Sequence, residues 1–240
     1  MDLKGVKITW LGHGTSLFEH KGKKILMDPW LAGNPSCPEE FHSLVPDLVL
    51  ITHGHGDHIG NVFDVAERSV APFVGIYDLT TWLGQKGIAG DRLIGMNKGG
   101  SVHLDDFALT VTMVHAVHSS SFVEEDGRNV YLGEAAGFVL NFDDGPTIYA
   151  AGDTAFFGDM EWIGTLYGPQ VAILPIGDHF TMDPRQAAWA AEVLDVDTVI
   201  PAHFGTFPLL TGTVAALQAE LSALECHAET VALQPGQSVS

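Results

Sequence analysis

Basic residues are scarce. The 240-residue chain carries 11 Lys and Arg against 30 Asp and Glu, a formal charge of −19. Such a surface repels the phosphates of nucleic acid and of anionic lipid, so neither a nucleic-acid nor a membrane partner is expected. The balance alone does not remove a nuclease, because bound divalent cations reverse the sign inside a cleft. Cysteine is nearly absent. Cys37 and Cys226 lie far apart and in no CxxC arrangement, so no disulfide framework is implied. No apolar run reaches the roughly 18–20 residues needed to span a bilayer. The opening MDLKGVKITWLGHG lacks the basic, apolar, small-residue order of a secretory signal, so cytoplasmic residence is expected. No linker or low-complexity segment interrupts the chain, and residues 1–240 are expected to form a single domain.

What the chain does have is apolar mass: 46% of its residues are hydrophobic and 17% charged, enough to bury a sizeable core. Val6–Trp10, Ser16–Glu19 and Lys24–Met27 read as strands joined by glycine-containing turns. After a Pro- and Gly-rich loop, Asp28 to Pro46, the run Asp47–Thr52 has the pattern of a strand buried on both faces. Ile59, Val62, Phe63 and Ala66 recur at helical spacing and predict a helix from near Asp57. Strands are expected over Ser101–Leu104, Phe107–Val114, Gly137–Asn141 and Thr147–Ala150. The last third alternates strands Val171–Leu174 and Thr198–Ile200 with helices Asp183–Leu194 and Thr213–Leu224. Residues 28–46, 84–100 and 119–127 are left as loops that would set specificity. Periodicity by itself gives mixed α/β and no more.

The chemistry concentrates in His53-Gly-His55-Gly-Asp57-His58, directly after the buried strand. Three imidazoles and a carboxylate within six residues are an electrostatic liability in a packed core, but they suit a divalent cation that takes N and O donors. Gly54 and Gly56 let the backbone turn sharply enough for neighbouring side chains to converge.

This HxHxDH pattern resembles the signature of the metallo-β-lactamase superfamily, and the resemblance extends over residues 8–208. His118 in AVHSSS, Asp153 in YAAGDT and His203 in IPAHFGT stand where that family places its remaining ligands, each just past a predicted strand. More narrowly, WLGHGTSLF, AGDT, LPIGDHFTM and PAHFGTFP look like the UPF0173-like metal-dependent hydrolase branch, once grouped with lactonase-like proteins. The resemblance implies an α/β fold, a four-layer αββα sandwich. It also implies two divalent metal ions, zinc favoured, with manganese, iron, cobalt and nickel left open. His53, His55 and His118 would hold the first ion and Asp57, His58 and His203 the second, with Asp153 between them. A hydroxide shared by the ions would be the nucleophile, and Asp57 would also orient it or shuttle protons.

Other candidates carry two readings each. His13, in LGHGT, would contact substrate or, like Asp28, fix a ligand's tautomer; the alternative is a hydrogen-bonded turn histidine. His179, beside Asp178, would donate to a developing oxyanion or sit in an exposed loop. His115 lies out of register with His118 and is expected to be structural. No GxSxG elbow surrounds Ser119, Ser120 and Ser121, so a serine hydrolase is rejected. His20, His42, His103 and His227 fit no ligand spacing and are assigned to the surface or to satisfied core positions.

The function these readings favour is a dinuclear metal-dependent hydrolase acting on a small-molecule ester, lactone or phosphodiester. A nuclease of the same superfamily, a flavodiiron-like redox protein and a non-catalytic metal-binding module are the alternatives. Charge opposes the first, length and His55 the second, and the completeness of the ligand set the third. The sequence gives no oligomeric state.

Overall fold

A computed structural model describes residues 3–240. Among them, six strands in chain order build most of the first sheet: β1 (Lys7–Trp10), β2 (Ser16–His20), β3 (Lys23–Met27), β4 (Leu48–Leu50), β5 (Phe73–Ile76) and β6 (Leu93–Met96). The second sheet contains β7 (Ser101–Leu104), β8 (Leu109–His115), β11 (Ala136–Phe142), β12 (Thr147–Ala150), β13 (Val171–Pro175), β14 (Thr198–Ala202) and β15 (Glu229–Thr230). Between β8 and β11 the chain makes a separate hairpin, β9 (Ser121–Val123) with β10 (Asn129–Tyr131). The last strand, β16 (Ser238–Val239), returns to pair with β1.

Each sheet is an antiparallel meander that turns parallel at its centre. β1, β2 and β3 alternate in direction, and β4, β5 and β6 then follow β3 in parallel. In the second sheet β8, β11 and β12 alternate, and β13 to β15 follow β12 in parallel. β1, β3 and β4 therefore point one way within their sheet, and β8, β12 and β14 do the same within theirs. The loops leaving these strands carry the site.

Four layers result, α/β/β/α, in agreement with the fold the sequence implied. α1 (Gly56–Ile59), α2 (Val62–Arg68) and α3 (Tyr77–Gln85) cover the first sheet. α4 (Met160–Tyr167), α5 (Pro184–Leu194) and α6 (Val214–Ala223) cover the second. The central strands are buried on both faces, which explains why they read as continuous apolar runs. Along β11 and β12, Phe138, Leu140, Ile148 and Ala150 pack between the sheets, while Val139 and Tyr149 pack under the helices.

Three expectations need correction. The single helix from Asp57 is two, because the chain breaks at Gly60 and Asn61, whose Oδ1 accepts from the backbone N–H of Leu31 and Gly33. Residues 84–100 are not a loop: they hold the end of α3 and the edge strand β6. Residues 119–127 include β9. By contrast α5 starts where Asp183 and Pro184 predict, with the Asp183 carboxylate accepting from Gln186 N–H, and in α6 the structure adds a cap in which the Thr213 hydroxyl accepts from Ala216 N–H.

Candidate metal centre

Strand ends deliver every group. His53 to His58 follow β4, His118 follows β8, Asp153 follows β12, His203 follows β14, and His13 and Asp28 follow β1 and β3. Gly54 is required by a close approach: a β-carbon there would lie 2.6 Å from Leu132 Cδ1. Gly54 N–H donates to Ser120 Oγ at 3.1 Å, which ties the motif loop to the segment carrying His118.

One oxygen organises the centre. Asp153 Oδ2 stands 3.1 Å from His203 Nε2, 3.4 Å from His58 Nε2, 3.6 Å from His118 Nε2 and 4.0 Å from His53 Nε2. His58 Nε2, both ring nitrogens of His203 and Asp153 Oδ1 are nevertheless buried without a hydrogen-bond partner. Polar atoms gathered this closely, four of them outside any well-formed hydrogen bond, fit a cation better than they fit one another.

Hydrogen bonds fix which nitrogens are bare. Asp28 Oδ1 accepts from Thr52 N–H at 2.8 Å, and its Oδ2 accepts from Thr52 Oγ1 at 2.7 Å and from His58 Nδ1 at 2.8 Å. His58 therefore carries its proton on Nδ1 and turns the lone pair of Nε2 toward Asp153. Thr52 has spent its hydroxyl proton on Asp28, so the 3.0 Å contact with His53 Nδ1 is a donation by His53. His53 Nε2 is then also bare, 3.0 Å from His55 Nδ1, while His55 Nε2 meets Ser119 Oγ at 3.2 Å.

Electrostatics agree for His53, His55, His118 and His13; for His58 they favour a second proton unless a cation takes its place at Nε2. Burial pushes His53, His55 and His118 below the ordinary histidine value and keeps them neutral, as ligation requires. Burial takes His13 to about 4, against the opposing hydrogen bond to Asp57. Burial also disfavours charge on His58, but Asp153 and Asp28 outweigh it and raise its pKa well above the ordinary value. The carboxyls of Asp153 and Asp57 would be raised by burial. His203 and His58 reverse this for Asp153, and the His13 hydrogen bond reverses it for Asp57, so both stay below the usual range.

The donors fall into two sets whose ligand atoms lie within 4.8 Å of one another: His53, His55 and His118, and His13, Asp57, His58 and His203. Asp28 also groups with His53 and His58, but its oxygens are engaged by Thr52 and His58, so it orients rather than binds.

Comparison with known proteins decides the family. The β-lactamase superfamily domain model matches residues 23–204. A UPF0173 metal-dependent hydrolase of Koribacter versatilis is 50% identical over the full length of both chains. The chain belongs to the metallo-β-lactamase superfamily, as a metal-dependent hydrolase. A second UPF0173 metal-dependent hydrolase, from Roseiflexus, is 47% identical over 97% of this chain and 96% of its own. Among solved structures, Igni18, a metallo hydrolase of the archaeon Ignicoccus hospitalis, superposes with a TM-score of 0.84 at 36% identity, covering 98% and 97% of the two chains.

In this metal-dependent hydrolase the structure brings all seven sequence-predicted ligands together and adds His13 to them. His179 stays apart: it is exposed, has φ of 55° and packs edge-on against Phe180. No described residue hydrogen-bonds to its ring, so the oxyanion role gains no support. His115 is exposed at the end of β8, its Nδ1 3.0 Å from Lys98 Nζ. His20 departs from expectation: it is buried with neither ring nitrogen bonded, against Phe142. Sequence reasoning missed Thr52 and Thr206 and weighed Ser120 only as a nucleophile. Thr52 abuts the motif and was open to notice; the other two act only through the fold.

Proposed function

We propose that this hydrolase uses two divalent cations, zinc favoured, to cleave an uncharged small-molecule ester or lactone. The observation that carries the dinuclear reading is Asp153 Oδ2, a single oxygen facing histidines of both donor sets. His53, His55 and His118 would hold one ion and Asp57, His58 and His203 the other, with Asp153 shared. Divalent ions there supply Lewis acidity toward the scissile carbonyl and lower the pKa of water toward about 7.

The chain's own residues do the rest. Asp28 and Thr52 lock the tautomers of His58 and His53. Asp57, about a third exposed and ionised at neutral pH, stands at the mouth and orients the attacking water or takes its proton. A cavity of about 350 Å³ opens beside His118, lined by Ser119, Ser121, Asn129, Tyr131 and Glu134, with no Lys or Arg among the lining residues. Glu134 is ion-paired with Lys98, and hydroxyl and amide groups beside a carboxylate suit an uncharged substrate better than a phosphodiester. A larger cleft of about 510 Å³, lined by Phe63, Trp82 and Phe122, holds none of the ligands and is set aside as the reaction site. The free thiols Cys37 and Cys226 accord with a reducing, cytoplasmic setting. No helix of the described residues is long and apolar enough to cross a membrane.

The test is metal content by plasma mass spectrometry on protein purified without added metal, followed by a screen of esters, lactones and phosphodiesters. Near two ions per chain, with ester or lactone turnover lost to chelator and restored by zinc, is expected. Protein that takes up no metal on reconstitution would overturn the reading, and dominant phosphodiester turnover would overturn the substrate class.

A further inference from the structure

His13 and His203 follow different strands of different sheets, yet both adopt φ of 53°, the left-handed region that residues with a β-carbon seldom occupy. The two turns are locked together. His203 N–H donates to His13 O at 2.9 Å, and the same oxygen accepts from Trp10 Nε1 at 2.9 Å. Their rings lie 3.8 Å apart, centroid to centroid. Thr206 completes the arrangement, its hydroxyl 3.1 Å from His13 Nδ1.

His13 is fully buried, and its Nε2 faces the centre, 3.2 Å from Asp57 Oδ2. This is the arrangement of His53 and His58: the outer nitrogen is engaged, by Thr52 or by Asp28, and Nε2 is left for the cluster. A proton on His13 Nε2 would satisfy Asp57 alone and leave the bare nitrogens of His58 and His203 beside it unpartnered. A cation satisfies all four.

We propose that His13 is a ligand of the second ion, which is thus held by His13, Asp57, His58 and His203, with Asp153 shared. The inference rests on the two-ion reading above. It has a consequence for the division of labour. With Asp153 counted on both sides, the second ion would have five protein donors and the first four, so the first, held by His53, His55 and His118, is the less crowded and keeps more room for water and substrate. His118 is also the ligand that lines the neighbouring cavity.

The first experiment uses the unmutated protein. Histidine labelled with ¹⁵N and loaded with zinc reports by NMR which imidazoles have a metal-bound nitrogen. Six are expected, His13, His53, His55, His58, His118 and His203; five, with His13 free, overturns the inference. The second uses His13→Gln, whose amide keeps an N–H for Asp57 but is a poor ligand. One zinc is expected to weaken by more than about 100-fold, beyond the loss usual for an orienting neighbour, while the other holds. The cobalt-substituted variant is expected to show an altered visible spectrum. Unchanged affinity and spectrum would overturn the inference. Should the variant fail to fold, the NMR count decides. Parent protein with two zincs and five bound imidazoles removes this inference alone; parent protein that binds none removes the two-ion reading with it.

Discussion

His58 and Asp28 form a pair sealed from solvent, with Nδ1 of His58 donating to Oδ2 of Asp28 at 2.8 Å and neither side chain exposed. The pair sets the direction of the bare Nε2. Replacing Asp28 with Asn puts an amide where the carboxylate accepts three hydrogen bonds, and His58 loses the partner that holds its proton on Nδ1. Metal affinity at the second site is expected to fall by about 10–100-fold in Asp28→Asn. Competition with a chromophoric chelator measures it; parent-like affinity would show that Asp28 does not orient His58.

Gly14 gives His58 its room. A β-carbon at that position would lie 2.4 Å from His58 Cε1, and Asp28 prevents the ring from stepping aside. Gly14→Ala is expected to lose the second ion and to destabilise the fold by about 1–3 kcal/mol, the usual cost of overpacking. Gly90, around which nothing lies within 4 Å, serves as the control. Equal metal content and melting temperature in Gly14→Ala and Gly90→Ala would refute the steric argument.

Asp153→Ala removes the oxygen shared by both histidine sets. Occupancy of both sites is expected to fall, rather than that of one site with the other left full. Unchanged stoichiometry would place Asp153 outside the centre.

Stability of the chelator-treated protein has a predictable pH profile. His13 is lowered from 6.5 to about 4, and His53, His55 and His118 are lowered too, so below about 6.5 the unfolded chain binds more protons than the folded one. Stability therefore rises from about pH 4 to about 6.5. His58 acts in the opposite sense: its pKa is raised, so its contribution is complete below 6.5 and is lost as pH climbs through the folded value. Urea unfolding across this range should show a maximum, and a stability that keeps falling from pH 4 to 6.5 would contradict it. In the metal-loaded enzyme, protonation of the same ligands expels the ions, so activity should disappear in acid before far-UV circular dichroism changes.

The alternation of apolar runs, the Asp183 cap and the HxHxDH motif were legible in the sequence because each rests on neighbours in the chain. α3 was not: its N-cap, Ile76, offers no side-chain acceptor, and tertiary packing of Leu79 and Leu83 holds the helix in place of a local signal. α4 carried a legible stop in Gly168, with φ of 54°, but no side-chain cap at its start. The break at Gly60 and Asn61 was hidden because Asn61 serves a loop some thirty residues upstream.

For the site, the sequence by itself determined the donor types and their positions beyond strand ends, since a divalent cation demands neutral imidazoles and carboxylates on rigid supports. Only the tertiary structure decided which donors share a partner, which ring nitrogen each presents, and that His13 joins them. Those properties belong to pairs such as His13 and His203, 2.9 Å apart in a hydrogen bond but 190 residues apart in sequence. No local pattern encodes such a pair; two sheets packed face to face bring their strand ends to one edge and create it.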